Sequence, residues 1–382
     1  MNRPLRVLSI FGTRPEAVKM APVVKALAGC DRVQSRVCVT AQHRQMLDQV
    51  LEVFGVQPDI DLDLMRPNQS LAELTASILT HLDPVLEDEQ PDWILVQGDT
   101  TTVMTAALLG FYRKVRVGHV EAGLRTRDRW QPFPEEINRR IAGVVADLHF
   151  APTAHARQNL LSEGVPDWRI AVTGNTVIDA LHEIIRQPAP PEVDELVRRI
   201  GLDEPGRRLV LVTAHRRENF GRPLENIFAA LKALAESDPD LRLVYPVHLN
   251  PNVQEPAHRM LGGVPNITLL PPLDYLPMVH LMQRAALVLT DSGGIQEEAT
   301  GLGKPTLVLR EVTERPEGVE AGVLKLVGTD TQRILREAQR LLSDPEAYRQ
   351  MAQAANPFGD GHAAGRILQA LLDFDPRNEL ER

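Results

Sequence analysis

The sequence predicts an α/β protein made of two parallel-sheet domains, and three observations carry that expectation. Short apolar runs recur along the whole chain, each ending in a polar or glycine-rich cluster and followed by a helical pattern. Continuous apolar runs of this length suit strands buried on both faces of a parallel sheet, with crossover helices between them. The chain of 382 residues is two domains long at roughly 100–200 residues per domain.

In the first half the strand-like runs are Leu5–Phe11, Arg36–Thr40, Trp93–Val96, Val115–Val120 and Leu148–Ala151, with Ile170–Thr173 after them. Pro15 to Ala28 carries apolar residues at helical spacing, and Pro15 suits a first-turn position where its missing N–H costs nothing. The second half repeats the rhythm with Leu209–Val212, Leu243–Val247, Ile267–Leu270, Leu287–Thr290, Thr306–Leu309 and Val323–Val327. Gln187-Pro-Ala-Pro-Pro191 is the densest proline cluster, but it follows the Ile170–Thr173 run and reads as a loop inside the second domain. The expected division is therefore residues 1–172 and 173–362, with a cleft between the domains. No 20–50-residue repeat and no low-complexity tract interrupts this pattern.

Composition narrows the function. Hydrophobic residues make up 43% and charged residues 24%, ordinary for a globular chain. The 42 Lys+Arg against 51 Asp+Glu give a formal charge of −9, which argues against a dedicated nucleic-acid binder. A small anionic substrate remains open, since a few local Arg and Lys residues suffice to hold one. Cys30 and Cys38 offer no disulfide framework and no CxxC pair. With no signal-like N-terminus and no run near the ~18 apolar residues of a membrane span, a soluble, cytoplasmic protein is expected.

The polar clusters stand at the expected strand ends, where ligands gather on open parallel sheets. After the first strand comes Phe11-Gly12-Thr13-Arg14-Pro15-Glu16, with Lys19 a turn later. Gly12 permits a tight turn, the helix N-terminus favours an anion, and Arg14 and Lys19 add mobile positive charge. No GxGxxG follows a strand and no Walker A motif occurs, so neither a nicotinamide or flavin cofactor nor a P-loop nucleotide is indicated. Gln97-Gly98-Asp99-Thr100 places Asp99 at a strand end, with Thr100 available as a helix cap. His119-Val120-Glu121 and Pro132-Phe133-Pro134-Glu135-Glu136 bring two more carboxylates that can face one cleft with Asp99. Clustered carboxylates raise one another's pKa, so such a site can hold both an acid and a base near neutrality. Glu136 reads as a helix-start charge, although no sequence rule separates it from Glu135.

In the second half, Thr213-Ala214-His215-Arg216-Arg217 sets a histidine beside two arginines, whose charge should depress its pKa until a diphosphate restores it. His248 ends the next strand in the same way, and neither histidine has an HExxH-like partner for zinc. Thr290-Asp291-Ser292-Gly293-Gly294 is the sharpest cluster: Ser292 can cap a helix, and the glycines let a phosphate approach exposed N–H groups. Glu298 lies within reach of a ribose diol, and Arg315 and Glu317 end the next unit. Asp61-Leu62-Asp63 has the form of a DxD metal motif but lacks a glycine-rich context, and no metal is expected there or elsewhere.

Taken together, FGTRPEAVKMAP, TAQHRQMLDQV, QGDTTTV, HVEAGLRT, PFPEE, TGNTVIDAL, TAHRREN, YPVHLNPNV, TDSGGIQEEA, TERPEGVEAG and NPFGDG, in order over roughly residues 5 to 367, resemble the bacterial non-hydrolysing UDP-N-acetylglucosamine 2-epimerases. The resemblance implies a GT-B fold of two Rossmann-like domains with an interdomain active-site cleft. It also implies a C-terminal helix, 363–382, that returns to the first domain. The implied reaction is the interconversion of UDP-GlcNAc and UDP-ManNAc with no cofactor, by loss of UDP to 2-acetamidoglucal and its re-addition.

By motif position the resemblance makes Asp99, Glu121 and Glu135 the acid–base carboxylates, with acid and base not assigned, and adds His215 to the catalytic set. It puts Arg14, Lys19, Asp99, Glu121, His215, Ser292, Gly293, Gly294, Glu298 and Arg315 on the UDP and substrate, and gives uracil backbone contacts around Leu273 and Met278. A second UDP-GlcNAc would act as activator on Gln42, Gln45, Gln69, Glu135, Arg216 and His248, with Asn68 where some relatives carry Arg. A homodimer is implied, and no nucleic-acid or membrane partner. The competing functions are a retaining GT-B glycosyltransferase, a hydrolysing epimerase and a catalytically silent UDP-sugar sensor. The first does not need three carboxylate-bearing motifs, and the last would be expected to lose them.

Overall fold

The computed structural model describes residues 3–40, 44–64, 66 and 69–375, with residues 44–46 described by backbone alone. The first sheet contains β1 (Leu5–Phe11), β2 (Val33–Val39), β3 (Ile60–Asp61), β4 (Trp93–Gln97), β5 (Arg116–Val120), β6 (Leu148–Ala151) and β7 (Ile170–Val172). Its spatial order is β3-β2-β1-β4-β5-β6-β7, and the strands pair in parallel. The second sheet contains β8 (Arg208–Thr213), β9 (Leu241–Pro246), β10 (Ile267–Leu270), β11 (Ala285–Thr290), β12 (Thr306–Val308) and β13 (Leu324–Leu326). It is also parallel, in the order β10-β9-β8-β11-β12-β13. Each sheet therefore reverses its strand order once, between its first and fourth strands, and in open parallel sheets ligands bind at the carboxyl ends beside such a reversal.

The two-faced burial predicted from the continuous apolar runs is visible in β8. Val210 and Val212 enter one core with Leu224, Phe228 and Leu231, whereas Leu209 and Leu211 enter another with Val193, Leu281 and Met282. Side chains alternate with period two, so the stretch of a strand that is covered on both faces is a continuous apolar run. In the first sheet Leu8 and Ile10 pack with Ile94, Val96 and Val117. The strand that the sequence did not disclose is β3, two residues long at the sheet edge.

The chain divides into Met1–Ala180 with Gly359–Arg382, and Leu181–Phe358. These boundaries differ from the expected 172/173 and 362/363, and the contacts explain the shift. Asn175 donates to Glu121, and the Asp179 carboxylate accepts the N–H groups of Ala363 and Ala364, so the start of the helix Thr176–Ile184 belongs with the first unit. Gly359 lies against the backbone of Gly174 and Asn175, where a Cβ would come within 3.3 Å of the Asn175 nitrogen. The returning helix runs Ala363–Asp373 and ends in Phe374, which meets Trp93 edge-on at 4.9 Å and lies 6.2 Å from Trp168. Among the described residues no helix is long and apolar enough to cross a membrane.

Candidate active site

In the first unit the polar clusters at the ends of β1, β4 and β5 assemble as one network. Gly12 ends β1 in a place with no room for a side chain: a Cβ there would stand 2.0 Å from Thr40 Oγ1 and 3.2 Å from Thr102 Oγ1. Close approach, rather than the tight turn expected from sequence, is what requires glycine. Thr13 caps the helix Arg14–Ala28, and Glu16 closes the capping box by accepting from the N–H groups of Gly12 and Thr13 at 3.1 and 2.7 Å. Thr100, itself the cap of the helix Thr101–Tyr112, donates to the other Glu16 oxygen at 2.8 Å. Glu16 is buried, and that burial raises its pKa against these hydrogen bonds. It belongs to the frame of the site, and the Thr-x-x-Glu spacing carried that signal. Arg14 opens the same helix, half-buried.

Lys19 is not the mobile cation the sequence suggested. Its ammonium bridges both oxygens of Glu121, at 2.5 and 2.7 Å. Asn175 donates to Glu121 Oε1 at 2.9 Å, and Gln97 donates to Oε2. Glu121 follows β5 in the left-handed region, with φ +62°, and is buried. Its carboxylate lone pairs are thus largely taken by three side chains. A non-glycine residue in that conformation is uncommon, and the strain is held by the surrounding contacts.

Asp99 follows Gly98, whose φ of +81° turns the chain out of β4. The Arg139 guanidinium meets its carboxylate at 2.5 Å, and Asn138 donates to its carbonyl at 3.0 Å. Burial raises the Asp99 pKa above its ordinary value and the nearby Glu121 charge adds to this, while Arg139 and Lys19 oppose it. The expected mutual carboxylate effect is present, but desolvation is the larger cause. His119 donates from Nε2 to the Gly98 carbonyl at 2.7 Å, and burial holds its pKa down at about 4.

The helix Glu135–Val145 separates the two adjacent glutamates that the sequence could not. Glu136 is buried, accepts from the N–H groups of Thr126 and Arg127 at 3.1 and 3.3 Å, and lies 3.5 Å from Arg139. Glu135 is half-buried, and its Oε2 is enclosed without a hydrogen-bond partner. The structural duties fall to Glu136, and Glu135 keeps an oxygen available one turn from the Asn138 and Arg139 that hold Asp99.

In the second unit the ends of β8 and β11, adjacent strands, form the other cluster. Asp291 is fully buried after β11, and its Oδ2 accepts from the N–H groups of His215 and Arg216, each at 2.8 Å, and from Asn219 Nδ2 at 3.2 Å. The His215 ring nitrogen Nδ1 lies 3.8 Å from Asp291 Oδ1, and its ring stacks on the exposed His248 with centroids 5.3 Å apart. The His215 pKa is lowered as expected, but burial is the main cause, and the charges of His248 and Arg216 come after it. Asp291 raises it and is the organising residue that the motif reading passed over.

Ser292 occupies the N-cap position of the helix Gly293–Gly301, but its side chain makes no capping hydrogen bond, contrary to expectation. Its hydroxyl and the first helical N–H groups therefore stand together as donors suited to a phosphate. The Arg315 guanidinium lies over Gly293, 3.1 Å from where a Cβ would stand, and donates to Glu297 at 2.7 Å. A Cβ at Gly294 would meet nothing within 4 Å, so that glycine faces open space. Glu298 is buried next to Glu297. Burial would raise the Glu314 pKa, but Arg310 and Arg315 hold it down at about 2.

Leu273 and Met278 pack partly buried against the core of the second unit. Gln69 is half-buried, while Gln42, the Gln45 side chain and Asn68 lie outside the described residues. Asp61 and Asp63 close a local turn, with the Asp63 N–H donating to Asp61 Oδ1 at 3.1 Å. Among the described residues no three His, Cys, Asp or Glu side chains gather in a way that could hold a metal ion. Burial pushes the Cys38 thiol up to about 12, far from a reactive thiolate.

Comparison with known proteins locates this arrangement. The family model described as UDP-N-acetylglucosamine 2-epimerase matches residues 25–372. The UDP-N-acetylglucosamine 2-epimerase of Yersinia pestis is 57% identical over 369 residues, covering 96% of this chain and 98% of its own. The crystal structure of UDP-GlcNAc 2-epimerase from Neisseria meningitidis bound to UDP-GlcNAc superposes with a TM-score of 0.89 at 48% identity, covering 97% of this chain and 100% of its own. The Methanocaldococcus jannaschii enzyme in complex with UDP-GlcNAc and UDP gives 0.79 at 32% identity, covering 96% and 99%.

Proposed function

The chain belongs to the UDP-N-acetylglucosamine 2-epimerase family, and from that premise we propose that it interconverts UDP-GlcNAc and UDP-ManNAc by eliminating UDP and adding it back. The C2 hydrogen of the sugar has no neighbouring carbonyl, so removing it alone is too costly. When the C1–O bond to UDP breaks as a base takes the C2 proton, the electron pair forms the C1–C2 double bond of 2-acetamidoglucal. Re-addition of UDP at C1 with protonation of C2 from the opposite face gives the epimer. Each direction needs two proton carriers at C2 and a cradle for the departing diphosphate.

The observation that carries this reading is the unequal environment of the carboxylates. Asp99 has a raised pKa, and Glu135 has an enclosed oxygen without a partner. These two exchange the C2 proton. Glu121 is occupied by Lys19, Gln97 and Asn175, so it acts as the fixed anion that positions Lys19 beside the sugar. In the second unit His215, Ser292, Arg315 and the N–H groups of Gly293 and Gly294 hold the diphosphate, Glu298 holds the ribose, and the backbone near Leu273 and Met278 reads uracil. A depressed pKa keeps His215 neutral in the free protein, and the arriving diphosphate favours its charged form.

The active protein is a homodimer in the cytoplasm, where two unpaired cysteines suit the reducing environment. A second UDP-GlcNAc activates it at Gln42, Gln45, Gln69, Glu135, Arg216 and His248. The stack of His248 on His215 supports this, since it joins an activator residue to a substrate residue. The test is proton NMR of UDP-GlcNAc in D₂O with purified protein and nothing added. UDP-ManNAc should appear, with deuterium entering C2 of both sugars. Accumulation of UDP and free ManNAc would instead make the protein a hydrolysing epimerase.

A further inference from the structure

The second unit carries a hollow of about 890 Å³ at the opposite pole of its sheet from His215 and Ser292, around the amino ends of β8, β9 and β10. Six cationic side chains line it, Arg198, Arg199, Arg207, Lys232, Arg242 and Arg259, against only two carboxylates, Glu204 and Glu236. In a chain of net charge −9 that concentration is unexpected. Some of it is neutralised locally, since Arg207 meets Glu204 at 2.5 Å and Arg259 meets Glu225 at 2.6 Å. Lys232 approaches Glu236 only to 3.9 Å. Arg198 and Arg199, exposed at the end of the helix Pro191–Arg199, have no carboxylate partner among the described residues.

Arg242 differs from an ordinary surface arginine because it is anchored. Its Nε donates to the Ile200 carbonyl at 2.7 Å, and Nη1 donates to the carbonyls of Pro239 and Leu241 at 2.7 and 2.8 Å. Carbonyls fix a guanidinium without cancelling its charge. Arg207 is likewise seated against Gly201, whose φ of +65° and missing Cβ leave it space, since a Cβ would stand 2.2 Å from Arg207 Nη1. A concave, pre-ordered and positively charged wall is a receptor for phosphoryl oxygens, which guanidinium groups bind in bidentate fashion.

We propose that this hollow binds a small soluble anion carrying two or more phosphoryl groups. Its volume falls within the range of ordinary ligand sites, roughly 300–1,000 Å³, and exceeds what one phosphate fills. No exposed large hydrophobic side chain lies on its rim, so it has no anchor for a bilayer whose lipid phosphates would offer the same chemistry. The site stands apart from the epimerase reading, and its test does not use activity.

Inorganic tripolyphosphate is titrated calorimetrically into the full chain and into the double variant Arg198→Glu/Arg199→Glu, with UDP affinity measured in parallel. Wild-type protein should bind tripolyphosphate with an affinity that falls as salt is raised, and the double variant should bind it at least tenfold more weakly with UDP affinity unchanged. Both residues are exposed, and Lys232→Glu, also exposed, tests the same wall should the double variant unfold. Equal tripolyphosphate binding by wild type and variants, or a parallel loss of UDP binding, would overturn the proposal. So would co-sedimentation with phosphatidylserine vesicles that the variants abolish, because it would assign the wall to a lipid surface.

Discussion

Replacing Asn175 by aspartate tests the central claim about Glu121 with a change of one atom. Asn175 Oδ1 accepts from the Val177 N–H at 3.1 Å, and an aspartate keeps that bond. Its Nδ2 donates to Glu121 Oε1 at 2.9 Å, and there the substitution sets one carboxylate against another. At 2.9 Å and an effective dielectric near 20 the repulsion is about 6 kcal/mol, to which the lost hydrogen bond to a charged group adds about 2 kcal/mol. Lys19 offsets part of this. An uncompensated 6 kcal/mol corresponds to about four pH units, so the new pair should take up a proton near neutrality. We expect Asn175→Asp to lower kcat about 100-fold or more at pH 8. The deficit should shrink as pH falls, because the protonated replacement donates to Glu121 much as the amide did. Epimerisation rates by NMR across about pH 6–9, with thermal unfolding as a control for folding, provide the assay. A folded variant with undiminished kcat, or with a deficit independent of pH, would refute the positioning role of the Glu121 cage.

Three further outcomes are expected. Glu135→Gln should cost about 100-fold in kcat with little change in Tm, whereas Glu136→Gln, which removes the charge of a buried carboxylate with three partners, should lower Tm by several degrees; the reverse pattern would show that the roles are exchanged. Asp291→Asn should weaken UDP binding about tenfold and raise KM more than it lowers kcat, because the loop bearing His215 and Arg216 hangs from that carboxylate; unchanged UDP titrations would show that the Asp291 carboxylate does not hold the diphosphate-binding loop. Burial holds His119 at about 4 and His149 at about 3, against 6.5 in the unfolded chain. The unfolded chain alone then binds these protons as pH drops below 6.5, so stability should fall by roughly 4 kcal/mol from pH 7 to 5, read as a shift in the urea midpoint. A midpoint that stays constant over that range would show that these rings are not held neutral.

The parallel sheets were legible because burial on both faces makes the middle of β8, Leu209 to Val212, apolar at every position. A two-residue edge strand such as β3 leaves no such trace. The candidate residues were legible as polar clusters at strand ends, but their partners were not. Glu121 is held by Asn175, 54 positions away, and Asp99 by Arg139, 40 positions away. Separations of that length are set by the sheet order, and no local spacing rule reports them. Glu135 and Glu136 are distinguished only by helix phase, which places Glu136 three residues before Arg139. The Glu16 cap was written in its spacing to Thr13.

The return of the chain to its first unit also governs the order in which the protein can be completed. Synthesis proceeds from the N-terminus, and domains usually fold as they emerge. Here the first 180 residues leave the ribosome well before Gly359–Arg382, which finish the same unit. Until then Trp93 and Trp168 lack Phe374, and Asp179 lacks the N–H groups of Ala363 and Ala364. A nascent chain stalled before residue 359 therefore lacks the ring that meets Trp93 edge-on in a finished one. That difference gives a folding chaperone or a protease a way to recognise an incomplete molecule.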